Sequence, residues 1–336
     1  MPNIKQGLRN IKEDYIDGRH WIVRVVGALV LVYLLMAAGL GFYWNSEPDV
    51  SPMPSAQTIT GAATTKALLH LANTLLDKPG GYLSNDVSLP GIWMDNIPNW
   101  EYGVLIQVRD LSRALRKDFS RSQSQSTEDA DLAVAEPQFN FDSESWILPS
   151  SEGEYRTGVD GLKRYLDRLS DPQQSQAQFY ARADNLTRWL GDVETRMGSL
   201  SQRLSASVGQ KRLNTDLAGD ASATQSTSAA SELEIKTPWS KIDDVFYEAR
   251  GASWALIQLL RAVEVDFKLV LEKKNALVSL RQIIRELEST QETLWSPMVM
   301  NGSGFGLVAN HSLVMASYIA RANAGIIDLR GLLTQG

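Results

Sequence analysis

At 336 residues, with 43% hydrophobic and 21% charged side chains, the chain can bury a substantial core and lacks the composition of a disordered polypeptide. Its formal charge of −6 argues against a nucleic-acid partner, since such proteins gain affinity by neutralising phosphates with Lys and Arg. The absence of cysteine excludes disulfides, thiolate metal sites and thiol nucleophiles.

The first predicted element is a membrane span. Residues 25–44, VVGALVLVYLLMAAGLGFYW, carry no charge, and at ~1.5 Å per residue they reach about 30 Å, the thickness of a bilayer's hydrocarbon core. Trp21 precedes the run, and Tyr43 and Trp44 close it, as amphipathic rings do at membrane interfaces. A cleaved signal peptide is the rival reading, with Ala37, Ala38 and Gly39 as a small-residue site. The apolar run exceeds the usual h-region of ~7–15 residues, however, and this favours an uncleaved anchor. Lys5, Arg9, Lys12, Arg19 and Arg24 precede the span, while Glu47 and Asp49 follow it with no Lys or Arg before Lys66. The positive-inside rule therefore expects a cytoplasmic tail of residues 1–24 and a remainder outside the cytoplasm, which is periplasmic in a Gram-negative cell. The lipid bilayer is thus the first expected partner, through residues 25–44.

Residues 45–62, with Pro48, Pro52 and Pro54, read as a stiff spacer holding the rest off the membrane. A helical region, 63–208, follows. Leu68, Leu71, Ala72, Leu75 and Leu76 mark an amphipathic helix that Lys78-Pro79-Gly80-Gly81 ends. Residues 79–103 form a turn-rich loop carrying Tyr82, Trp93, Trp100 and Tyr102; it either caps the bundle or binds sugar or peptide by stacking on Trp93 and Trp100. A helix from about Trp100 to Phe119 comes next. Phe179, Leu186, Val193 and Leu200, with Ala183, Leu190, Met197 and Leu204, then give an apolar heptad seam. Small and polar residues dominate 209–238, and Gly219 to Ser231 holds nothing larger than Gln, so this stretch reads as a flexible linker. A second helical region, 239–336, packs on the first. Its seam runs Ile242, Ala249, Leu256, Val263, Val270, Leu277 and Ile284, as one helix or as two with a bend near Glu272–Asn275. A last helix aligns Val308, Met315, Ile319, Ala322, Ile326 and Leu329. The expected fold is mainly α: an N-terminal transmembrane helix followed by an elongated antiparallel helical bundle with long heptad-patterned helices.

Several stretches together resemble a bacterial family of single-span inner-membrane proteins known only as a domain of unknown function: PGGYLSND (79–86), DNIPNWEYGVL (95–105), RALRKDFSRSQSQS (113–126), AQFYARADNL (177–186) and the run from Leu294 to Arg330. The resemblance implies a membrane-anchored protein of Gram-negative bacteria and carries over no activity, cofactor or catalytic residue.

Site-like features are few. NGSGFG, Asn301 to Gly306, lacks the Lys-Ser/Thr ending of a phosphate loop, has no preceding strand signal, and is not the G-x-S-x-G elbow of a hydrolase. Ser303 and His311 stand eight residues apart on what reads as mostly helix, too far for a nucleophile and its base. The stretch therefore reads as a turn capping a helix; an anion or glycan-carboxylate site on its amides, at Asn301, Ser303, Gly304 and His311, is the functional alternative. His20, His70 and His311 have no ligand spacing, so no metal or other cofactor is expected. The carboxylates Asp184, Asp192, Glu194, Asp243, Asp244, Glu248, Glu264 and Asp266 read as helix-surface groups, two of which could converge as acid and base. The functional expectation is a non-enzymatic envelope scaffold or tether with a protein partner. The alternative is a cell-envelope hydrolase, or a glycan- or peptide-binding protein, using those carboxylates or the 79–103 loop.

Overall fold

The computed structural model describes residues 4–50, 52, 59–122, 127–171, 173, 176–213, 232–296 and 298–335, with side chains from Trp21 onward. The chain is mainly α. Helix α1 (Ile4–Trp44) contains one segment apolar and long enough to cross a membrane, Trp21–Trp44, with a mean hydropathy of 2.4. Among the described residues nine further helices build the domain: α2 (Ala62–Asp77), α3 (Asn96–Ala114), α4 (Ala130–Phe139), α5 (Ser151–Ser170), α6 (Ala183–Ser205), α7 (Ile242–Asp266), α8 (Lys268–Lys273), α9 (Leu277–Glu288) and α10 (His311–Thr334). Between α6 and α7, β1 (Gln210–Leu213) and β2 (Glu232–Ile235) pair antiparallel. The ends of the expected flexible linker are thus a short ribbon, whose alternation was too brief to register; Gly219 to Ser231 lies outside the described residues.

Two glycines set the centre of the bundle. A Cβ at Gly103 would lie 2.1 Å from the carbonyl oxygen of Glu248, and one at Gly251 would lie 2.0 Å from that of Trp100. Only hydrogen at these two positions lets α3 and α7 approach backbone to backbone. The contact buries Trp100 and Trp254 completely, with ring centroids 4.9 Å apart. The two helices ascend together: Trp100 meets Gly251 at one end, and Phe119, in a π-turn continuing α3, meets Phe267 at the other. The surrounding helices pair antiparallel with one another. Helix α6 opposes α10, with Gly191 against Arg330 and Gly198 against Asn323, and α4 opposes α5, with Gly161 against Ala135 and Gly158 against Phe139. One contiguous apolar core draws on helices from both sides of the β ribbon.

Several boundaries differ from the sequence expectation, each for a local reason. Helix α3 starts at Asn96, because Pro98 fits a first helical turn, where its missing N–H costs no bond. The seam residue Phe179 precedes α6 but still joins the core through Phe119 and Phe267, with centroids 5.3 and 5.7 Å away. The long second seam is interrupted twice, at Phe267 and at Lys274–Ala276, where Asn275 takes a positive φ of 51°. Helices α4 and α5 had no counterpart in the expectation. Each starts at a capping side chain: Asp129 accepts from the N–H groups of Asp131 and Leu132, and Ser150 accepts from that of Gly153. At the start of α2 the cap comes from a distant helix, as the Asp266 carboxylate accepts from Gly61 N–H and Thr64 N–H at 2.8 and 2.6 Å.

Candidate functional site

The expected spacer begins as a segment docked on the domain. Residues 45–50 lie along α7 and are fastened there. Arg250 is the only charged residue between Ala249 and Leu260 and is buried. Its Nε donates to both oxygens of Glu47 at 3.1 and 2.9 Å, and its Nη2 is 2.8 Å from that carboxylate. Its Nη1 donates to the carbonyls of Thr290 and Glu292 at 3.1 and 2.8 Å. A planar guanidinium can serve three acceptor groups at once, which an ammonium on a flexible stem does poorly. One turn on, the Trp254 indole N–H donates to Asp49 O at 3.1 Å. Deeper in the chain, the end of α1 packs on the 79–103 segment: Gly41 faces the Pro90 ring, and Gly80 lies against the Trp44 indole.

Beside this clamp, α7, α10, residues 289–296 and Met300 line a largely apolar cavity of about 570 Å³. Phe246, Leu294, Trp295, Met300, Val314 and Met315 supply its apolar walls, and Arg250, His311 and Tyr318 its polar groups. His311 is held by two bonds to one residue: its backbone N–H donates to Met300 O at 3.0 Å, and its Nδ1 accepts from Met300 N–H at 2.9 Å. The accepting Nδ1 fixes the neutral tautomer with hydrogen on Nε2. Burial pushes this imidazole below its ordinary value, so at neutral pH it offers the cavity a hydrogen-bond donor and no charge. A second, more polar cleft of about 320 Å³ lies between α3, α6 and α7. There the buried Gln107 amide has no partner among the described residues, an arrangement suited to ordered water.

The structure brings one of the six candidate contacts to the main cavity, His311. Asn301 has a structural role: its Nδ2 donates to Ser207 O at 3.2 Å, its Oδ1 accepts from Asn310 Nδ2 at 3.0 Å, and the two asparagines form an isolated antiparallel bridge. The loop 302–309 is not helical, contrary to expectation; α10 begins only at His311, capped by Asn310, whose Oδ1 accepts from Leu313 N–H at 2.9 Å. Val308 is therefore not part of the helix, while Met315, Ile319, Ala322, Ile326 and Leu329 are buried along it. Ser303 is exposed at the loop's turn, where its carbonyl accepts from Gly306 N–H. Gly304 lacks a positive φ, and the glycine whose missing side chain matters is Gly302, where a Cβ would lie 2.0 Å from Val308 O. Trp93 is exposed in a 3-10 turn. Trp100 is the clear correction: it is fully buried on α3 and offers no surface for stacking a ligand.

The helix carboxylates are mostly engaged. Asp184 pairs with Arg188, Asp192 with Arg113, Glu194 with Arg330, Asp244 with Lys241, Glu248 with Arg203 and Glu264 with Arg281; Asp266 caps α2. Burial, then the nearby charges of Asp95 and Asp244, holds the Asp243 carboxyl above its ordinary value. Among the described residues no group of three His, Asp or Glu side chains is placed to hold a metal ion.

The sequence reading also missed the buried pair Lys78–Glu101, whose side chains are almost wholly excluded from solvent. Glu101 accepts from Leu83 N–H, Ser84 N–H and the Ser84 hydroxyl, and Lys78 also donates to Gly81 O at 2.6 Å. Burial pushes the Glu101 carboxyl upward, against the pull of Lys78. This node ties PGGYLSN to NWEYG and so shapes the loop that meets α1. The available signal for Arg250 was a lone cation in an otherwise uncharged run.

The chain belongs to the family described as uncharacterized protein conserved in bacteria (DUF2333), whose profile matches residues 16–336. Comparison with curated proteins and with solved structures gives no match.

Proposed function

We propose that the chain is an inner-membrane protein of a Gram-negative envelope that works as a scaffold or tether without catalysing a reaction. In this reading residues 1–24 lie in the cytoplasm, α1 spans the bilayer, and the helical domain stands in the periplasm. The flanking charges support that orientation. The observation that carries the mechanical role is the Arg250 clamp: it joins the anchor to the central helix, so that load on the domain passes directly to the span. Engagement of the carboxylates in pairs and caps favours this reading over a hydrolase, which needs one acid and one base free to reach substrate. The cavity beside the clamp is the seat for an apolar side chain of a tethered envelope protein, with Val314 and Trp295 at its exposed edge. A photo-crosslinking amino acid at Val314 of the full chain in intact cells tests this. A discrete protein adduct, lost when Met315 is replaced by Arg, supports the tether; no adduct, together with cell-wall cleavage by the purified full chain, supports the hydrolase instead.

A further inference from the structure

The tryptophans outside the span divide sharply. Trp100, Trp189 and Trp254 are at most 1% exposed, whereas Trp93, Trp146, Trp239 and Trp295 are at least 56% exposed. An exposed indole leaves about 150–250 Å² of ring surface unburied, and one instance needs no explanation. Four at one end of a bundle do.

Their placement follows from contacts already described. The end of the bundle that receives α1 is marked by Gly41 against Pro90 and by Trp44 against Gly80. Trp93 closes the turn that Pro90 opens. Trp239 lies just before α7, whose first residues sit beside Asp95, the residue before α3. Trp295 follows Glu292, the carbonyl partner of Arg250 at the clamp. Trp146 follows Ser145, whose carbonyl accepts from Asn85 in the 79–103 segment. The loop that precedes α10 projects from the same end, where Asn301 reaches Ser207, and it carries a fully exposed Phe305. At the opposite end, where Phe119, Phe179 and Phe267 cluster, the prominent exposed apolar side chains are aliphatic, Leu269 and Val278.

We propose that this end of the domain is a lipid-docking face: Trp93, Trp146, Trp239, Trp295 and Phe305 insert together into the outer headgroup layer of the bilayer that α1 crosses. The proposal rests on α1 being a membrane anchor. Its strongest support is the depth of the Pro90 contact. Gly41 lies three residues inside the span's last residue, Trp44, about 4.5 Å along the axis at ~1.5 Å per residue. Ala37, one turn deeper on the same face, is the one fully buried residue of Trp21–Trp44, where Gly41 and Trp44 are half-buried and the others exposed. The loop bearing Trp93 therefore already reaches below the level of the closing tryptophan, into the zone about 5–10 Å deep where interfacial side chains settle. Indole rings favour that zone because one edge is apolar and the N–H remains wet. With the clamp holding residues 45–50 against α7, the domain has no slack with which to lift this face away. The bilayer thus orients the domain at two places, the span and its own end face, and the main cavity opens beside the lipid surface.

The cysteine-free chain gives a direct test. Single cysteines at Trp93→Cys, Trp239→Cys, Trp295→Cys and Phe305→Cys, each carrying a nitroxide, are read in the full chain reconstituted into phosphatidylcholine vesicles. Collisional relaxation by oxygen reports lipid, and relaxation by a water-soluble nickel chelate reports solvent. Leu34→Cys in the span and Leu269→Cys and Val278→Cys at the far end serve as references. The proposal expects the oxygen-to-nickel ratio at all four test positions to exceed that at 269 and 278 several-fold and to approach that at 34. Solvent-like ratios at 239, 295 and 305 with a lipid-like ratio at 34 overturn it, even if 93 alone reports lipid, because that loop touches the span itself; the face is then left for a protein partner. A solvent-like ratio at 34 refutes the anchor reading beneath it.

Discussion

Replacing Gly103 or Gly251 by alanine should destabilise the domain more than any other single methyl addition to a helix. At Gly103 the new Cβ would lie 2.1 Å from Glu248 O and 2.7 Å from Ala252 N; at Gly251 it would lie 2.0 Å from Trp100 O. Ordinary contact starts near 3.4 Å, so α3 and α7 must part by about 1.3–1.4 Å, and the obstacles are backbone atoms that no rotamer change can move. A radial gap of about 0.5–1 Å already forfeits a quarter to a half of each dispersion contact, and this gap would open beside the Trp100–Trp254 pair, whose centroids are now 4.9 Å apart. Overpacking of this kind costs about 3 kcal/mol, the upper end of the usual range, which corresponds to a fall in melting temperature of about 6–12 °C for a domain of this size. Gly331→Ala is the control, since its Cβ would meet nothing within 4 Å. There the better helix propensity of alanine should leave stability unchanged or raise it by up to about 1 kcal/mol. Thermal melts followed by circular dichroism decide the matter. Equal melting temperatures for Gly103→Ala, Gly331→Ala and the parent would refute the close approach of the central helices.

Three further predictions concern the anchor clamp and the α10 cap. Glu47→Ala strands the Arg250 charge and should cost about 2 kcal/mol in urea unfolding, less than the 3–5 kcal/mol of a fully buried pair because the Glu47 side chain keeps 20% of its exposure; a wild-type midpoint would mean the clamp does not form in solution. Burial holds the His311 imidazole below its ordinary pKa, so as pH falls through about 6.5 the unfolded chain binds more protons than the folded one, and stability declines until the folded pKa is passed. Relative to His311→Gln, the parent should therefore lose stability as pH falls through about 6.5; in that comparison His70, Glu101 and Asp266 cancel, and a constant difference would show that His311 titrates normally. In the loop, Gly302→Val should lower folded yield while Ser303→Ala and Gly304→Val stay close to the parent, since only Gly302 faces a carbonyl, at 2.0 Å; the opposite ranking would return Ser303 to candidacy as a working residue.

What the sequence disclosed depended on the range of the interaction. The apolar segment of α1, Trp21–Trp44, was legible because its length and apolarity lie in one contiguous run. The seams of α6 and α10 were legible because a helix repeats its buried face every turn. Helix α5 escaped notice although Tyr155, Val159, Leu162 and Tyr165 are buried along one face, since charged residues and glycines at the other positions mask a short apolar period. The docking of residues 45–50 was illegible for a different reason: Pro48 and its neighbours describe local stiffness, whereas the destination of Glu47 and Asp49 depends on Arg250 and Trp254, about 200 residues away. Trp100 and Trp93 differ only by tertiary position. Both stand among turn formers in sequence, yet one lies under α7 and the other is exposed in the turn after Pro90.

The orientation of the span is the claim on which the periplasmic placement, the tether and the docking face all depend. Alkaline phosphatase, which folds to activity only after export, can be fused to the full chain at Gly336 and to a truncated chain ending at Gly18. Lys5, Arg9, Lys12, Arg19 and Arg24 before the span, against Glu47 and Asp49 after it, predict an active enzyme at Gly336 and an inactive one at Gly18. An inactive fusion at Gly336, in cells that accumulate the full-length product, would place the domain in the cytoplasm and contradict the account.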